Sequence, residues 1–378
     1  MKIGFDGKRA LHNLRGLGNY SRTLIKSLDE YYKENEYLLF SPEAKNQELI
    51  NWSKDLSSSC EIISPQGLIS KNFPSIWRSL LLKSELENKH LDVYHGLSHE
   101  LPPGISQLNT LKVVTIHDLL YLKFPQFFSF VDRQIYHRKF MYSCKVSDIV
   151  IAICEQTQAD IVEYLKVPEE KIHVIYQSCS PDFYHDKSDV ELGKVSEKYS
   201  LEKPFIFHIA TMEENKNTLG IVKAFKEIYK EIDEDLILIG RGKKYKSDVI
   251  NYINENKLNK RIRILDDVIN DDIPAIFQLA KLFVFPSFYE GFGIPIIEAL
   301  FSKTPVITSV GGCFPESGGP ATRYVDPYSV KEISNAMLEI LKDENLQREM
   351  AQKGHEFVQK FDWRNTSNDL MNLYLTHL

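Results

Sequence analysis

Two glutamates, Glu290 and Glu298, are the only charged residues of FPSFYEGFGIPIIEAL, residues 285–300, and seven residues separate them. Carboxylates accept paired hydrogen bonds from vicinal hydroxyls, so two of them around a glycine turn suit a polyhydroxylated ligand. KLFVFPS reads as a strand, FYEGFG as a loop, and Pro295 suits the first position of the helix that follows. Such a helix carries Glu298 in its first turn and directs the backbone amides of Phe292, Gly293 and Ile294 out of its start. On this reading Glu298 holds a ribose, Glu290 holds a hexose, and the amides meet a phosphate between them. A first-turn glutamate often only complements the helix dipole, but that leaves Glu290 and its aromatic-framed glycine loop unexplained.

Three other strand-to-helix junctions carry reactive side chains. VVTIHDLLYLKFP ends its strand at His117 and Asp118. An imidazole there can donate to a sugar hydroxyl or move a proton near neutral pH, although a satisfied structural histidine fits the same residues. FIFHIATMEENKNTLGIVKAF sets Lys216 at a helix entrance, where its charge and the helix dipole act together on a phosphate. A solvated lysine is the plain alternative. GLGNYS, residues 16–21, opens a helix after a long loop. Ser21 stands where a dinucleotide fingerprint needs its third glycine, and the glycines lie well beyond the strand end, so a tight dinucleotide turn is not supported. What remains is glycine backbone at a helix start, able to approach an anion closely or to serve as a ligand-free entry loop.

These junctions need elements to hold them. Short apolar runs alternate with helical patterns along the chain, as in parallel sheets with crossover helices. KIGFDG, YLLFSP, DVYHG, LKVVTIHD, DIVIAI and KIHVIY are the strand runs of the first half; FIFHIA, DLILIG, RIRILDD, KLFVFPS and TPVITS are those of the second. The polar segment YHDKSDVELGKVSEKYSLEK holds no buried strand and reads as a connector. The expected fold is α/β, with two doubly wound parallel-sheet Rossmann-like domains facing across a cleft. Ligands of such sheets bind at the carboxyl ends of the strands.

Composition narrows the function classes. The chain has 378 residues, 43% hydrophobic and 26% charged, which suits a soluble protein of two or three domains. No apolar run approaches a membrane span and no secretory signal precedes the first strand. Five scattered cysteines without a C-x-x-C pair point to a reducing cytoplasm, with neither a disulfide framework nor a structural zinc. Residues 1–180 carry 21 basic and 21 acidic side chains, so residues 181–378 supply the whole net charge of −6. No basic cluster has the form of a nucleic-acid footprint. FFSFVDRQIYHRKFMY, residues 127–142, sets Arg133, His137, Arg138 and Lys139 among aromatics. It reads as an amphipathic helix with a solvated basic edge or, more sharply, as a surface meeting an anionic lipid or lipid-linked acceptor.

Taken together, GLGNYS, VVTIHDLLYLKFP, SDIVIAICEQTQADIVEYLKVPEEKIHVIY, ENKNTLGIVKAF, FVFPSFYEGFGIPIIEAL, TPVITS and VDPYSVKEISNAMLEIL give the chain a family likeness. It resembles the family-4 retaining glycosyltransferases of the two-domain GT-B fold, above all their bacterial mannosyltransferase-like members. The resemblance implies an acceptor-side domain over 1–180 and a nucleotide-sugar domain over 181–360. It implies that 361–378 is a last helix crossing back onto the first domain. The Gly16–Gly18 loop would approach the donor diphosphate, Lys216 would neutralise it, and His117 would sit by the transferred sugar. Glu290 and the amides of Phe292, Gly293 and Ile294 would hold that sugar, and Glu298 the ribose.

The implied reaction moves a hexose, mannose first, from a nucleoside diphosphate sugar to a hydroxyl of a glycan or lipid-linked oligosaccharide in surface polysaccharide synthesis. GDP-mannose is the first donor, UDP-sugars the second, with neither cofactor nor metal. The setting implied is the cytoplasm, with a peripheral contact at the inner membrane surface. Two departures bear on the donor: Asn215 replaces the family's arginine, and Thr211 stands where relatives place a second phosphate cation. Arg241, after DLILIG, is the candidate to replace it. Asp118 and Asn215 adjoin the implied site as further substrate contacts. A nucleotide-sugar epimerase on the same fold and a non-catalytic nucleotide-sugar binder are the alternatives. The D-x-D match at 233–235, the metal signature of another architecture, precedes its strand and reads as a solvated acidic turn.

Overall fold

The computed structural model of the chain describes residues 1–66 and 77–378. The described residues form two compact units: Met1–Cys179 with Phe361–Leu378, and Ser180–Lys360. Each is an α/β unit around one parallel sheet.

The first sheet is built from β1 (Lys2–Asp6), β2 (Glu36–Phe40), β3 (Cys60–Ile63), β4 (Val93–Gly96), β5 (Leu111–Ile116), β6 (Ile149–Ala152) and β7 (Ile172–Val174), ordered β3-β2-β1-β4-β5-β6-β7. The second comprises β8 (Phe205–Ile209), β9 (Asp235–Ile239), β10 (Ile262–Leu265), β11 (Leu282–Phe285), β12 (Val306–Ser309) and β13 (Arg323–Val325), ordered β10-β9-β8-β11-β12-β13. All of these pairings are parallel. Strands covered by helices on both faces are buried at every position, as VYHG, IVIA and LFVF are; the polar His95 of VYHG is satisfied by the Tyr374 and Thr115 hydroxyls. Two strands went unread in the sequence. β3 and β13 are edge strands of four and three residues, partly exposed, and neither forms an apolar run.

Each sheet reverses its winding once. In the first unit the reversal lies between β1 and β4, in the second between β8 and β11. Diverging loops leave a crevice at such a point, beyond the carboxyl ends of the strands.

Two expectations about connections are corrected. The polar segment before β8 is not a free connector. Its helix Asp189–Tyr199, opened by a capping box of Ser188 and Glu191, belongs to the second unit. There Tyr199 donates to Asp272 at 2.7 Å and Arg263 donates to the carbonyls of Tyr199 and Ser200. The long loop after β1 also contains a helix, Lys8–His12.

Within the first unit the closing helix Trp363–His377 lies against the helix Gly16–Tyr31. Ser27 Oγ donates to the Trp363 carbonyl at 2.9 Å, and Tyr32 donates to Asn368 at 2.7 Å. Leu370, Met371 and Tyr374 join Phe5, Tyr37 and Val113 in its core.

Candidate functional site

In the second unit β8 and β11, the strands on either side of the winding reversal, deliver the two charged groups of the site. After β8 a single 3-10 turn, Glu214–Lys216, leads to Asn217, whose backbone is left-handed at φ 55. The Asn217 amide donates to the carbonyls of Pro286 at 3.1 Å and Pro327 at 2.7 Å. The Phe288 amide donates to the Asn215 carbonyl at 2.9 Å. These bonds tie the β8 and β11 exit loops together. They bring Lys216 Nζ to 2.6 Å from Glu290 Oε1 and 2.7 Å from Oε2. Cys313 Sγ donates to the Glu290 carbonyl at 3.3 Å.

Beyond Glu290 the chain passes Gly293, whose φ of 93 belongs to the left-handed region and therefore favours glycine. The helix Ile294–Phe301 starts there, with Ile296, Ile297, Ala299, Leu300 and Phe301 buried. Because the helix begins at Ile294, Pro295 is its second residue and Glu298 its fifth; no acidic side chain lies in the first turn. The first-turn placement of Glu298 is thus corrected by one residue of helix start, and a dipole-complement role falls with it. Glu298 is half-buried, and desolvation raises its pKa to about 8. Among the described residues its carboxyl has no hydrogen-bond or ionic partner, and the amides of Gly293 and Ile294 donate to no protein group. Phe292 is buried against this turn. Asn215 is buried as well, and Arg241, just past β9, is exposed with no ion pair among the described residues. Asp235, in the D-x-D match, opens β9 paired with Arg261 at 2.7 Å and Lys203 at 2.6 Å.

In the first unit His117 follows β5 directly, and both ring nitrogens are engaged within the protein. One nitrogen, Nε2, lies 2.8 Å from the Leu97 carbonyl, which makes it the donor. Nδ1 accepts from the Gln177 amide at 2.7 Å. Burial, then neighbouring His99, push its pKa down to about 3, so the ring is neutral. The reading of His117 as a proton carrier near neutrality is corrected: the burial that positions it also suppresses its charge. The Asp118 carboxylate accepts from the Leu120 amide at 3.0 Å, turning the chain into its next helix.

The glycine pair is corrected too. Gly16 and Gly18 are not loop residues but lie in the first turn of the helix Gly16–Tyr31. The Gly18 amide donates to the Arg15 carbonyl at 2.8 Å, and a Cβ on Gly18 would fall 1.7 Å from the Asn13 carbonyl oxygen. Gly18 is therefore glycine for packing. Gly16 is exposed, nothing lies within 4 Å of a Cβ there, and its amide has no partner among the described residues.

Gln177, Asn217 and Cys313 were missed in the sequence. Gln177 and Cys313 each bond a site residue, and Asn217 ties together the loops that carry Lys216 and Glu290. All of these bonds reach segments distant in the chain, and no local pattern announces them.

Comparison with known proteins covers both units. Residues 14–183 match the family described as Glycosyltransferase Family 4, and residues 192–357 match Glycosyl transferases group 1. The chain is 28% identical to O-antigen chain mannosyltransferase B of Escherichia coli over 99% of each sequence. It is 27% identical to the O-antigen chain mannosyltransferase RfbU of Salmonella typhimurium over 70% of this chain and 69% of that one. It spans only 34% of the serotype-specific mannosyltransferase WbdA of E. coli, at 27% identity over 72% of this chain. Among solved structures, sucrose-phosphate synthase of Thermosynechococcus elongatus superposes with a TM-score of 0.81 at 18% identity, over 100% of this chain and 99% of that one. Anabaena Alr3699/HepE, in complex with UDP and glucose, gives 0.77 at 19% identity over 100% of both. With both units matched and the fold shared end to end, the chain belongs to the family-4, mannosyltransferase-like glycosyltransferases of the GT-B fold.

Proposed function

We propose that this chain transfers mannose, with retention and without a metal ion, from GDP-mannose to a hydroxyl of a glycan or lipid-linked oligosaccharide in surface polysaccharide synthesis. UDP-sugars are the next donors to try. The place of action proposed is the cytoplasmic face of the membrane. The names of the E. coli and Salmonella relatives support mannose and polysaccharide, and the UDP complex of the Anabaena protein supports a nucleotide-sugar donor.

One observation carries the reading: at the winding reversal of the second sheet, the Lys216–Glu290 pair stands beside the undonated amides of Gly293 and Ile294 and the unpartnered carboxyl of Glu298. The ammonium and the amides suit a diphosphate, and the two carboxyls suit the diols on either side of it. When the diphosphate takes the Lys216 ammonium, Glu290 is released to the sugar, where its charge stabilises the positive anomeric centre of the transition state. The bond from the anomeric carbon to the departing phosphate oxygen breaks, and the acceptor oxygen bonds to that carbon on the same face. The acceptor proton passes to the departing phosphate. Arg241 is free to serve as the second phosphate cation, and the Gly16 amide as an anion-facing donor of the first unit. Asp118 and Asn215 act as supports of the neighbouring loops, and His117 as a neutral, fixed wall.

Incubation with GDP-mannose and UDP-hexoses, followed by NMR of the glycoside formed, tests this. An α-mannoside from the α-configured donor is expected. A β-mannoside from a single transfer would overturn retention. Activity abolished by EDTA and restored by magnesium would overturn metal independence.

A further inference from the structure

Three loops leave the second sheet side by side, after β11, β12 and β13. Ser309 Oγ donates to the Ser287 carbonyl at 2.6 Å, and the Val310 amide donates to the Val325 carbonyl at 2.9 Å, so the loops are fixed to one another. The first carries Phe288 and, two residues on, Glu290; their Cα atoms lie within about 7 Å of each other. The third is the tight turn 326–329. Pro327 presets its first corner, the Ser329 amide donates to the Asp326 carbonyl at 3.0 Å, and the Asp326 carboxylate accepts from the Tyr328 amide at 2.9 Å. The Asn217 side-chain amide holds the Pro327 carbonyl at 2.7 Å. The backbone that carries Tyr328 is thus pinned on both sides.

Its side chain is nevertheless 73% exposed. The ring stacks on Phe288, with centroids 4.7 Å apart and planes at 25°, and its hydroxyl has no partner among the described residues. A ring so exposed adds little to the core; what it offers is a flat apolar face, held still before anything binds. Alongside, the β12 loop exposes Val310 and then turns through Gly311 and Gly312, left-handed at φ 75 and 56. A Cβ on Gly311 would meet nothing within 4 Å, and the amides of both glycines donate to no protein group among the described residues. An apolar plane with an unbonded hydroxyl and unbonded amides around it matches a pyranose ring, whose C–H bonds form an apolar face and whose hydroxyls radiate from its edge. An anion is disfavoured, because Asp326 and Glu332 meet at the same turn, the Glu332 carboxylate accepting from the Asp326 amide at 2.9 Å.

We propose that Phe288 and Tyr328, with the amides of Gly311 and Gly312 at the rim, form a subsite on the second unit for a hexopyranose ring of the acceptor glycan. The inference rests on the glycosyl-transfer reading, in which Glu290 holds the transferred sugar, and it names a place where this unit grips the acceptor. A nucleobase is the other flat ligand such a plane could stack, and it would depend on Tyr328 in nucleotide binding instead.

Saturation-transfer NMR titrations on the full chain, with no sugar donor present, separate these cases. Mannotriose with α linkages should bind, with saturation strongest on the C–H protons of one ring face. Tyr328→Ala should weaken it about three- to tenfold, whereas Tyr328→Phe, which keeps the plane, should stay within about twofold of the parent chain. Because Tyr328 is exposed, both variants should melt with the parent, so a changed affinity is not a changed fold. GDP and UDP should bind all three chains alike. Absence of binding by both mannotriose and maltotriose, or binding indifferent to Tyr328→Ala, would overturn the proposal. So would GDP or UDP binding that Tyr328→Ala weakens and Tyr328→Phe restores, which would make the plane a nucleobase platform. Mannotriose binding that is lost in Glu290→Gln and unmoved by Tyr328→Ala would place the sugar in the donor position and overturn it as well. Because no donor is used, failure here leaves the transferase reading intact, and failure of every donor leaves this binding result standing.

Discussion

Lys216 spends its ammonium on both oxygens of Glu290, at 2.6 and 2.7 Å, so the proposed phosphate cation and the proposed sugar carboxylate hold each other. Both side chains are largely buried, with exposures of 19% and 12%, so neither charge is left without an opposite partner. A diphosphate that takes Lys216 must replace that partner, which makes the pair a placeholder that donor binding can open.

The first prediction follows from that competition. Glu290→Gln should lower kcat by about 100-fold or more, as loss of a charge aimed at a transition state does. Bare nucleoside diphosphate should bind unchanged or up to about fivefold more tightly, since Lys216 is released. Titration calorimetry and initial rates read the two effects separately. Nucleotide binding that falls along with kcat would rule out this division of roles.

Glu298 predicts a proton signature. Its folded pKa, raised to about 8 by desolvation, lies above the ordinary value of 4.5, so the folded apo chain keeps a proton the unfolded chain has lost. Stability contributed by this site therefore falls as pH rises from 4.5 to 8 and is level above. Diols hydrogen-bond best to the ionised carboxylate, so nucleotide binding near pH 7 should release a proton. Calorimetry in buffers of different ionisation enthalpy detects that release. Glu298→Gln should abolish it and weaken binding by about 1.5–3 kcal/mol. Undiminished proton release in the variant would refute the assignment.

Four buried histidines make acid the weak side of this fold. His95, His99 and His117 have pKa values near 3 and His208 near 4, each lowered first by burial. The unfolded chain binds these protons at about 6.5, so the stability that neutral burial allows is lost as pH falls from there towards 3–4. Each histidine adds a slope of about 1.4 kcal/mol per pH unit. Urea unfolding midpoints at pH 7, 6 and 5 should drop steeply. NMR should show His117 neutral throughout that range, and a His117 titration near 6.5 would contradict the packing described here.

Gly293→Ala tests the turn that aims the amides. Forcing a Cβ into the left-handed region costs about 1–2 kcal/mol. The Ile296 side chain, 2.9 Å from the added carbon, must also shift. Thermal unfolding should register the loss in the apo chain, with nucleotide affinity reduced besides. An unchanged melting temperature would mean that the turn relaxes to another conformation.

What the sequence by itself determined is the class of fold and the types of residue at the site. Runs such as KLFVFPS and DLILIG are apolar throughout because both faces of a parallel strand are buried, and that pattern is written locally. The Glu-x7-Glu spacing and the lysine at a helix entrance are local in the same sense. Tertiary structure decided what each group is bonded to. The Lys216–Glu290 pair joins residues 74 apart, and the Gln177–His117 bond joins residues 60 apart. Only the folded sheet order makes either pair neighbours. It also decided charge: an imidazole following VVTI promises a proton near neutrality, whereas burial against Tyr20 and His99 withdraws it. The helix start at Ile294 shows the same limit, since a one-residue shift in a boundary depends on packing that the local pattern does not contain; at Gly18 the approach of the Asn13 carbonyl depends on backbone angles that residue types alone do not set. Solvation and long-range contact are sums over the whole fold, and no short window of sequence contains them.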